Sequence, residues 1–273
     1  MRNPVAVSLL EGNLIVSYCT KENDVTPELS FIGTNHVDEC ICEIFDYMRE
    51  QGKIPKFVHI PEFVIDSMRY PELFNFEPER GYDEYIISVS KFYPLDGAAW
   101  YHKKRVTSFM KKFPDARVSV GPIDLSNKDN KEQVLKIMQS WPKKGINSLA
   151  SSTNGAFENA IRQADELGFK NACVSLDGKL QCVMLFHAPE DGQYINLEYI
   201  KVSYAVPNIL NFSINMLAEW AAKQGVEYVN MGMDFGKPTL RVAKVALHPI
   251  NFFRKYTLEP AQPAIARDLS LVR

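Results

Sequence analysis

Apolar residues recur along the chain either in short runs or at helical spacing, and these two patterns predict a mixture of strands and helices. Apolar runs in the first half predict six short strands, at residues 4–10, 13–19, 28–33, 57–60, 73–77 and 85–89. Apolar residues at helical spacing predict helices at 36–51 and 97–113. No catalytic set of side chains stands out in this half of the chain.

From residue 117 onwards, the order of the predicted elements is more informative. The apolar pattern predicts, in chain order, a strand at 118–120, helices at 131–141 and 154–167, strands at 172–176, 180–187 and 194–201, a helix at 209–224 and a strand at 228–230. Pro238 suits the first turn of a further helix, which reaches about Leu247 before Pro249 ends it. A last strand at 250–258 completes the order β-α-α-β-β-β-α-β-α-β.

The stretch from Tyr228 to Tyr256 concentrates polar side chains around that last helix. Arg241, Lys244 and His248 are spaced i, i+3 and i+7, so they share one face of a continuous helix. Asp234 precedes the helix, where a carboxylate suits the positive end of the helix dipole. One interpretation is a cationic stripe, flanked by packed apolar residues, that faces a cleft. The other is a capping Asp followed by solvated Lys and Arg side chains.

This stretch resembles the signature of the phosphatidylglycerol lysyltransferase C-terminal-domain family. The matching positions are Asn230, Asp234, Gly236, Leu240, Arg241, Ala243, Lys244, His248 and Pro249. Proteins of this family use aminoacyl-tRNA as donor and are similar in fold to the GNAT acyltransferases, whose element order matches the one predicted above. The resemblance covers roughly residues 82–256 and implies an α/β fold with mixed sheets, arranged as two GNAT-like halves in tandem. We expect residues 1–115 to form the first half, ending in a linking helix, and residues 116–273 to form the half that carries the site.

A carboxylate in the strand at 194–201 is a candidate for the same site. Alternation along this strand places Ile195, Leu197 and Tyr199 on one face and Glu198 on the other. Burial of Glu198 would require a partner or a cleft. The family has a Glu at a similar place, so the resemblance implies Arg241 or Lys244 as its partner.

The helix at 97–113 also resembles the family, which has a Lys-Arg pair in a helix after its first sheet. Here the run is His102-Lys103-Lys104-Arg105, although Val106 stands where the family usually has Asn. His102 continues an apolar stripe, so a core histidine is the alternative to a substrate contact. Asn215 resembles a family position as well, with a helix-surface amide as its alternative. The substrate-binding candidates are therefore His102, Lys104, Arg105, Asn215, Asn230 and His248.

Aminoacyl transfer from an ester makes three demands on the side chains of a site. The acceptor must lose a proton, the oxyanion must be stabilised, and the leaving ribose oxygen must gain a proton. The catalytic candidates are Glu198, Asp234, Arg241 and Lys244. Either carboxylate could be the base or hold the aminoacyl ammonium, and either cation could bind the oxyanion or the terminal phosphate. No nucleophilic Ser or Cys elbow is present, which favours direct transfer.

The segment after the strand at 194–201 argues against coenzyme A. A GNAT that uses acyl-CoA carries a glycine-containing loop there, whose backbone N–H groups bind pyrophosphate. Residues 202–212 read VSYAVPNILNF and contain no glycine. The cysteines show no metal-ligand spacing, so no cofactor and no metal are expected. Met231, Gly232 and Val242 depart from the family pattern, which leaves the donor amino acid open.

Charge and hydropathy limit the possible partners. With a net charge of −2, the chain lacks a global positive field, so any tRNA contact must come from local cations. The candidates for phosphate contacts are Lys103, Lys104, Lys111 and Lys112. No window approaches the roughly 18 uninterrupted apolar residues of a membrane helix. We therefore expect no integral membrane segment and a cytoplasmic location.

The sequence thus predicts a soluble aminoacyltransferase that moves an aminoacyl group from aminoacyl-tRNA to a small-molecule, peptide or lipid-headgroup acceptor. One alternative is a GNAT N-acyltransferase that uses acyl-CoA or acyl carrier protein. A second alternative, from a different class, is a non-catalytic binding protein on the same scaffold. The identity of the acceptor and the oligomeric state stay open.

Overall fold

A computed structural model describes residues 5–18, 26–114, 118–139, 147–188 and 192–261 of the chain. The first residue of the strand expected at 4–10, the last residue of the strand expected at 13–19 and the end of the helix expected at 131–141 fall outside these residues. The elements are β1 (Val5–Leu10), β2 (Asn13–Tyr18), β3 (Glu28–Ile32), α1 (Val37–Glu50), β4 (Lys56–Pro61), α2 (Glu62–Ile65), β5 (Phe74–Pro78), β6 (Glu84–Ser88), α3 (Trp100–Lys112), β7 (Val118–Gly121), α4 (Lys128–Gln139), α5 (Asn147–Arg162), β8 (Lys170–Leu176), β9 (Lys179–His187), β10 (Tyr194–Val202), α6 (Ile209–Lys223), β11 (Tyr228–Met233), α7 (Pro238–Val245), β12 (Asn251–Phe253) and β13 (Lys255–Pro260).

Contacts divide the chain into two compact units. The first unit comprises residues 1–84, 233–237 and 252–273, and the second unit comprises residues 85–232 and 238–251. Helix α3, expected to link two halves of the chain, belongs to the second unit. The division into GNAT-like halves at residues 115 and 116 follows the order of the elements and stays a proposal.

The first unit is built on a six-stranded sheet in the order β1-β2-β3-β4-β13-β5. Strands β3 and β4 pair in parallel and the others are antiparallel, so the sheet is mixed. Helix α1 packs on this sheet because its apolar positions recur at helical spacing, as expected from the sequence. Its Ile41 and Phe45 join Phe31, Phe57 and Leu258 in one buried cluster.

The second sheet runs in the order β12-β6-β11-β10-β9-β8-β7 and lies mainly in the second unit. Alternate residues of β9 face different helices. Cys182 and Met184 join the core with Phe109 of α3, whereas Val183 packs with Phe157 of α5. Helices therefore cover both faces of this sheet. Two mixed sheets with packed helices confirm the predicted α/β, GNAT-like fold class.

Strands β10 and β11 pair in parallel over a short distance only. Their register covers three residue pairs, from Tyr194 opposite Tyr228 to Asn196 opposite Asn230. Over the described parts of both strands, no further pairs follow, although β10 continues to Val202. The parallel pairing of the two strands therefore ends at Asn196 and Asn230.

Strand β10 does not alternate as its sequence suggested. Its pairing with β9 shifts between Leu197 and Tyr199, so Glu198 is the extra residue of a bulge. Ile195 and Leu197 face the core with α6, whereas Tyr199 packs against Phe157 on the other side. The prediction of one shared face for all three apolar residues is wrong beyond Leu197.

The C-terminal part of the chain shows two further differences. Helix α7 ends at Val245, two residues before the predicted end. The single strand expected at 250–258 is two strands, β12 and β13, which lie in different sheets.

Among the described residues, no helix has both the length and the apolar character that crossing a bilayer requires.

Candidate functional site

The motif carboxylate Asp234 lies in a tight turn of the first unit. Its side chain is fully buried, and its Oδ1 accepts a hydrogen bond of 2.8 Å from the Gly236 N–H. The Lys237 N–H donates to the Asp234 carbonyl oxygen at 3.0 Å. Gly236 has a φ of 69°, a conformation that glycine adopts without steric cost. The Asp and the Gly of the motif therefore stabilise one turn together.

A side chain that the sequence did not single out, Arg80, lies beside this turn. Its Nη1 is 3.9 Å from Asp234 Oδ2 and 3.6 Å from Asp83 Oδ2. The guanidinium carbon lies 4.8 Å from the ring centroid of Phe252. Burial raises the pKa of Asp83, and the neighbouring Asp234 carboxylate acts in the same direction. Arg80 thus supplies one positive charge beside two carboxylates, and no local sequence pattern links Arg80 with Asp234.

Gly81 fits against the Asp234 turn because it has no side chain. A Cβ at this position would lie 2.7 Å from the Gly236 nitrogen and 3.0 Å from the Gly236 Cα. We expect Gly81→Ala to lower the free energy of unfolding by about 1–3 kcal/mol, the usual cost of overpacking. Urea denaturation checks this, with Gly121→Ala as the control, because nothing lies within 4 Å of a Cβ there. Equal stability of both variants would contradict a close-packed turn.

In the second unit, the motif cation Lys244 binds the end of β11. Its Nζ donates a hydrogen bond of 2.6 Å to the Met231 carbonyl oxygen and lies 5.7 Å from the Tyr85 ring centroid. Asn230 stabilises the same strand end, because its Oδ1 accepts a hydrogen bond of 2.8 Å from the Gly232 N–H. Asn230 is 9 % exposed. Both motif residues therefore stabilise the backbone of β11 beyond its parallel pairing with β10.

The predicted cationic stripe of Arg241, Lys244 and His248 is wrong at His248. Arg241 lies on α7 and is partly exposed. His248 lies beyond the end of α7, with a φ of 55°, so it does not continue the helix face. The prediction that the apolar residues flanking the stripe on α7 are packed is also wrong, because Val242 is 70 % and Val245 is 49 % exposed.

Glu198 of the second unit is half exposed, which avoids the cost of a buried carboxylate. Its Oε1 lies 3.9 Å from the Nδ1 of His187. The His187 Nε2 is 2.9 Å from the Leu167 carbonyl oxygen, and its ring packs against Phe169. A carbonyl oxygen only accepts, so Nε2 carries a proton and Nδ1 is the nitrogen that faces Glu198. A bulge with an accessible carboxylate is a common arrangement beside functional sites.

The predicted catalytic residues are distributed over both units. Asp234 belongs to the first unit, whereas Glu198, Arg241 and Lys244 belong to the second. Their convergence on one site stays a prediction.

Two of the predicted ligand residues lie in the core of the second unit. His102 of α3 is 2 % exposed and Asn215 of α6 is 4 % exposed. Neither ring nitrogen of His102 makes a hydrogen bond of good geometry, and the ring packs edge-on against Phe92. Burial lowers the pKa of His102, and the Asn215 amide offsets part of this effect. The alternative of a neutral core histidine agrees with this environment.

The exposed face of α3 forms a basic surface, which we call the α3 groove. It measures about 620 Å³ and is lined by Trp100, Lys103, Lys104, Thr107, Ser108, Lys111 and Lys112. Trp100 is 71 % exposed, and the Lys104 Nζ lies 4.9 Å from its ring centroid. Asp96 is 3.1 Å from Lys103 and offsets that charge. Arg105, outside the groove, donates to Asn208 Oδ1 at 3.2 Å.

Comparison with known proteins shows the family of this chain. The sequence model of the family "Phosphatidylglycerol lysyltransferase, C-terminal" matches residues 8–257. No functionally curated protein matches the chain by sequence.

Three solved structures share the fold. A conserved protein of unknown function from Bacteroides thetaiotaomicron has 16 % identity and a TM-score of 0.78, over 94 % of this chain and 86 % of that one. The C-terminal domain of a putative lysylphosphatidylglycerol synthetase from Agrobacterium fabrum has 16 % identity and a TM-score of 0.66, over 97 % and 86 %. L-PGS from Bacillus licheniformis has 14 % identity and a TM-score of 0.62, over 95 % and 84 %.

Proposed function

Because the chain belongs to the phosphatidylglycerol lysyltransferase C-terminal family, we propose that it transfers an aminoacyl group from aminoacyl-tRNA to an acceptor. The acceptor is a small molecule, a peptide or a lipid headgroup that carries a nucleophilic amine or hydroxyl. Transfer is direct, from the tRNA ester to the acceptor.

The observation that supports aminoacyl-tRNA as the donor is the α3 groove. Four lysines and an exposed tryptophan lie along one helix face, in a chain whose net charge is −2. Lysine side chains neutralise phosphates and release counterions. An exposed indole stacks on a base of a single strand, a contact worth about 1–3 kcal/mol. The 3′ end of a charged tRNA offers both a phosphodiester backbone and unpaired bases.

The environments of the two carboxylates support different roles for them. Asp234 is fully buried, binds the Gly236 N–H and lies beside Arg80, so it suits positioning of the motif turn. Glu198 is half exposed, so its carboxylate is accessible to a substrate and suits the base or the partner of the aminoacyl ammonium. We therefore assign to Glu198 a contact with the reacting groups, either as the base or as the partner of the aminoacyl ammonium.

The two motif cations suit the negative charge that develops during transfer. Lys244 is held by the Met231 carbonyl oxygen at the end of β11, so its ammonium is preorganised. Arg241 precedes it by less than one turn on α7 and offers a planar set of N–H donors. Preorganised donors of this kind stabilise an oxyanion without rearrangement during the reaction.

We expect coenzyme A to bind weakly or not at all. Asn208, at the start of α6, has a φ of 62°, and its side chain accepts a hydrogen bond from Arg105. Pro207 before it has no N–H, and residues 202–212 contain no glycine. The segment thus lacks the glycine-rich backbone that binds pyrophosphate. Calorimetric titration checks this, and micromolar affinity for coenzyme A would favour the acyl-CoA alternative.

The experiment that tests the proposed function follows radiolabelled amino acids in a mixed pool of charged tRNAs, to which a mixture of amines, peptides and lipids is added as acceptors. With protein added, we expect one class of charged tRNA to lose its amino acid faster than in buffer. Binding of charged tRNA without any loss of amino acid would instead favour a non-catalytic binding protein on this scaffold.

A further inference from the structure

A histidine in the first unit adopts a backbone conformation that is unusual for its position. His59 lies in β4 with a φ of 57°. The pairing with β13 shifts there, because Ile60 and Phe57 lie opposite Tyr256 and Leu258. β4 therefore carries one extra residue, a bulge whose left-handed position usually holds glycine. Strained backbone positions cluster at active sites and ligand-binding sites.

Glu79 fixes the ring of this histidine. Its Oε2 accepts hydrogen bonds from the His59 backbone N–H and, at 3.1 Å, from the His59 Nδ1. Burial alone would raise the pKa of Glu79, but hydrogen bonds from His59 and Thr257 lower it overall. The carboxylate is ionised and only accepts, so Nδ1 carries the proton. In the neutral form of the ring, Nε2 carries the lone pair, and no described residue hydrogen-bonds to this nitrogen.

Aromatic rings surround this histidine–carboxylate pair. The Tyr82 ring lies 4.0 Å and the Tyr18 ring 6.1 Å from the His59 ring, measured between centroids. Phe235 extends the wall, with its ring 6.4 Å from that of Tyr82. Tyr82 is 37 % and Phe235 is 44 % exposed. Phe235 directly follows Asp234, so this aromatic surface adjoins the motif turn. We call these five residues the His59 pocket.

We propose that the His59 pocket binds the primary ammonium group of a ligand that also carries an apolar flank. The ionised Glu79, the Nε2 lone pair and the aromatic faces are all electron-rich, which suits a cation. The ammonium donates a hydrogen bond to Nε2, and the apolar flank packs against Tyr82 and Phe235. The nearby cationic side chains of this unit do not compete with the ammonium for Glu79, because they lie beside other carboxylates. Arg80 lies beside Asp83 and Asp234, and Arg254 and Lys255 pair with Glu62 and Glu84.

The assignment of the His59 pocket as the acceptor site rests on the proposed aminoacyl transfer. It implies that the acceptor is an amine. The ammonium passes one proton to Nε2, and the imidazolium is stabilised by Glu79 before it returns the proton to solvent. The neutral amine nitrogen then bonds to the acyl carbon, and the bond from that carbon to the ribose oxygen breaks. The ribose oxygen takes a second proton from the amine nitrogen. The products are an amide and a tRNA with a free hydroxyl.

The experiment uses phenethylamine as probe and 2-phenylethanol as its neutral analogue. Ligand-observed NMR gives the affinities, and ¹⁵N-histidine labelling follows the His59 ring nitrogens. We expect saturable binding of phenethylamine with a shift of the Nε2 resonance, and at least tenfold weaker binding of the alcohol. Equal affinity for both probes, or no saturable binding of the amine, would overturn the proposal.

Matched variants separate a binding role from a folding role. His59→Asn keeps a residue that tolerates the left-handed conformation, and Glu79→Gln removes the charge. Both should lose amine binding at least tenfold while their thermal unfolding stays cooperative. His36→Asn is the control, because His36 is an exposed histidine of the same unit with a φ of 46°. Unchanged amine binding by folded His59→Asn protein would contradict the proposal.

The result is distinguishable from a failure of the proposed function, because no tRNA is present. Transfer from charged tRNA without amine binding would eliminate the His59 pocket alone. Amine binding without any transfer would eliminate the proposed function and keep the pocket as a ligand site.

Discussion

Reversing the charge of Lys104, Lys111 and Lys112 to Glu lowers the affinity for tRNA on the order of 10²-fold at low salt. These lysines line the α3 groove, and three exposed phosphate contacts at about 1 kcal/mol each account for the loss. The logarithm of the affinity falls with the logarithm of the salt concentration, by about 0.7 to 0.9 for each phosphate neutralised. The variant should therefore also have a smaller salt slope. Filter binding between low and moderate salt measures both quantities.

Three lysines on the other face of the second sheet provide a control variant with the same change in charge. Lys128, Lys131 and Lys136 belong to α4, which packs with Val183 of β9, whereas α3 packs with Cys182 and Met184. Reversal of these three lysines should leave the salt slope unchanged. If both triple variants lose affinity equally, the α3 groove is only a solvated face and the effect is one of net charge.

Arg241→Ala lowers the rate of aminoacyl transfer by about 10²-fold or more, the usual scale for losing one preorganised charge donor. The fold should survive, because no side chain of α7 is buried and alanine favours a helix. Single-turnover kinetics with charged tRNA measure the loss, and circular dichroism checks the fold.

Val242→Ala is the matched control on the same helix. Val242 is 70 % exposed, so its truncation should change neither rate nor stability. An Arg241→Ala protein that is unfolded would show that Arg241 stabilises a structural ion-pair network instead. A folded Arg241→Ala protein with full activity would remove Arg241 from the reaction.

Local sequence signals were sufficient for the parts of the fold that depend on neighbouring residues. Apolar spacing predicted α1, which buries one face, and continuous apolar runs predicted the antiparallel strands of the second sheet, which helices cover on both faces. Pro238 predicted the start of α7. The spacing of the motif also predicted the family.

Features that depend on distant contacts could not be read from the sequence. The bulge at Glu198 depends on the register between β10 and β9. It reverses the predicted alternation of β10 after Leu197. Strand β13 pairs between β4 and β5, far from its neighbours along the chain. Arg80 and His59 acquire their importance only from partners that the fold brings close.

Incubating the protein with a mixed pool of charged tRNAs and a mixture of amines, peptides and lipids tests the central claim most directly. Mass spectrometry identifies the products. We predict an aminoacylated acceptor that appears as one charged tRNA is deacylated, and that is reduced about 10²-fold with Arg241→Ala protein. Charged tRNAs that stay intact, together with an acylated product when acyl-CoA replaces them, would contradict aminoacyl-tRNA as the donor.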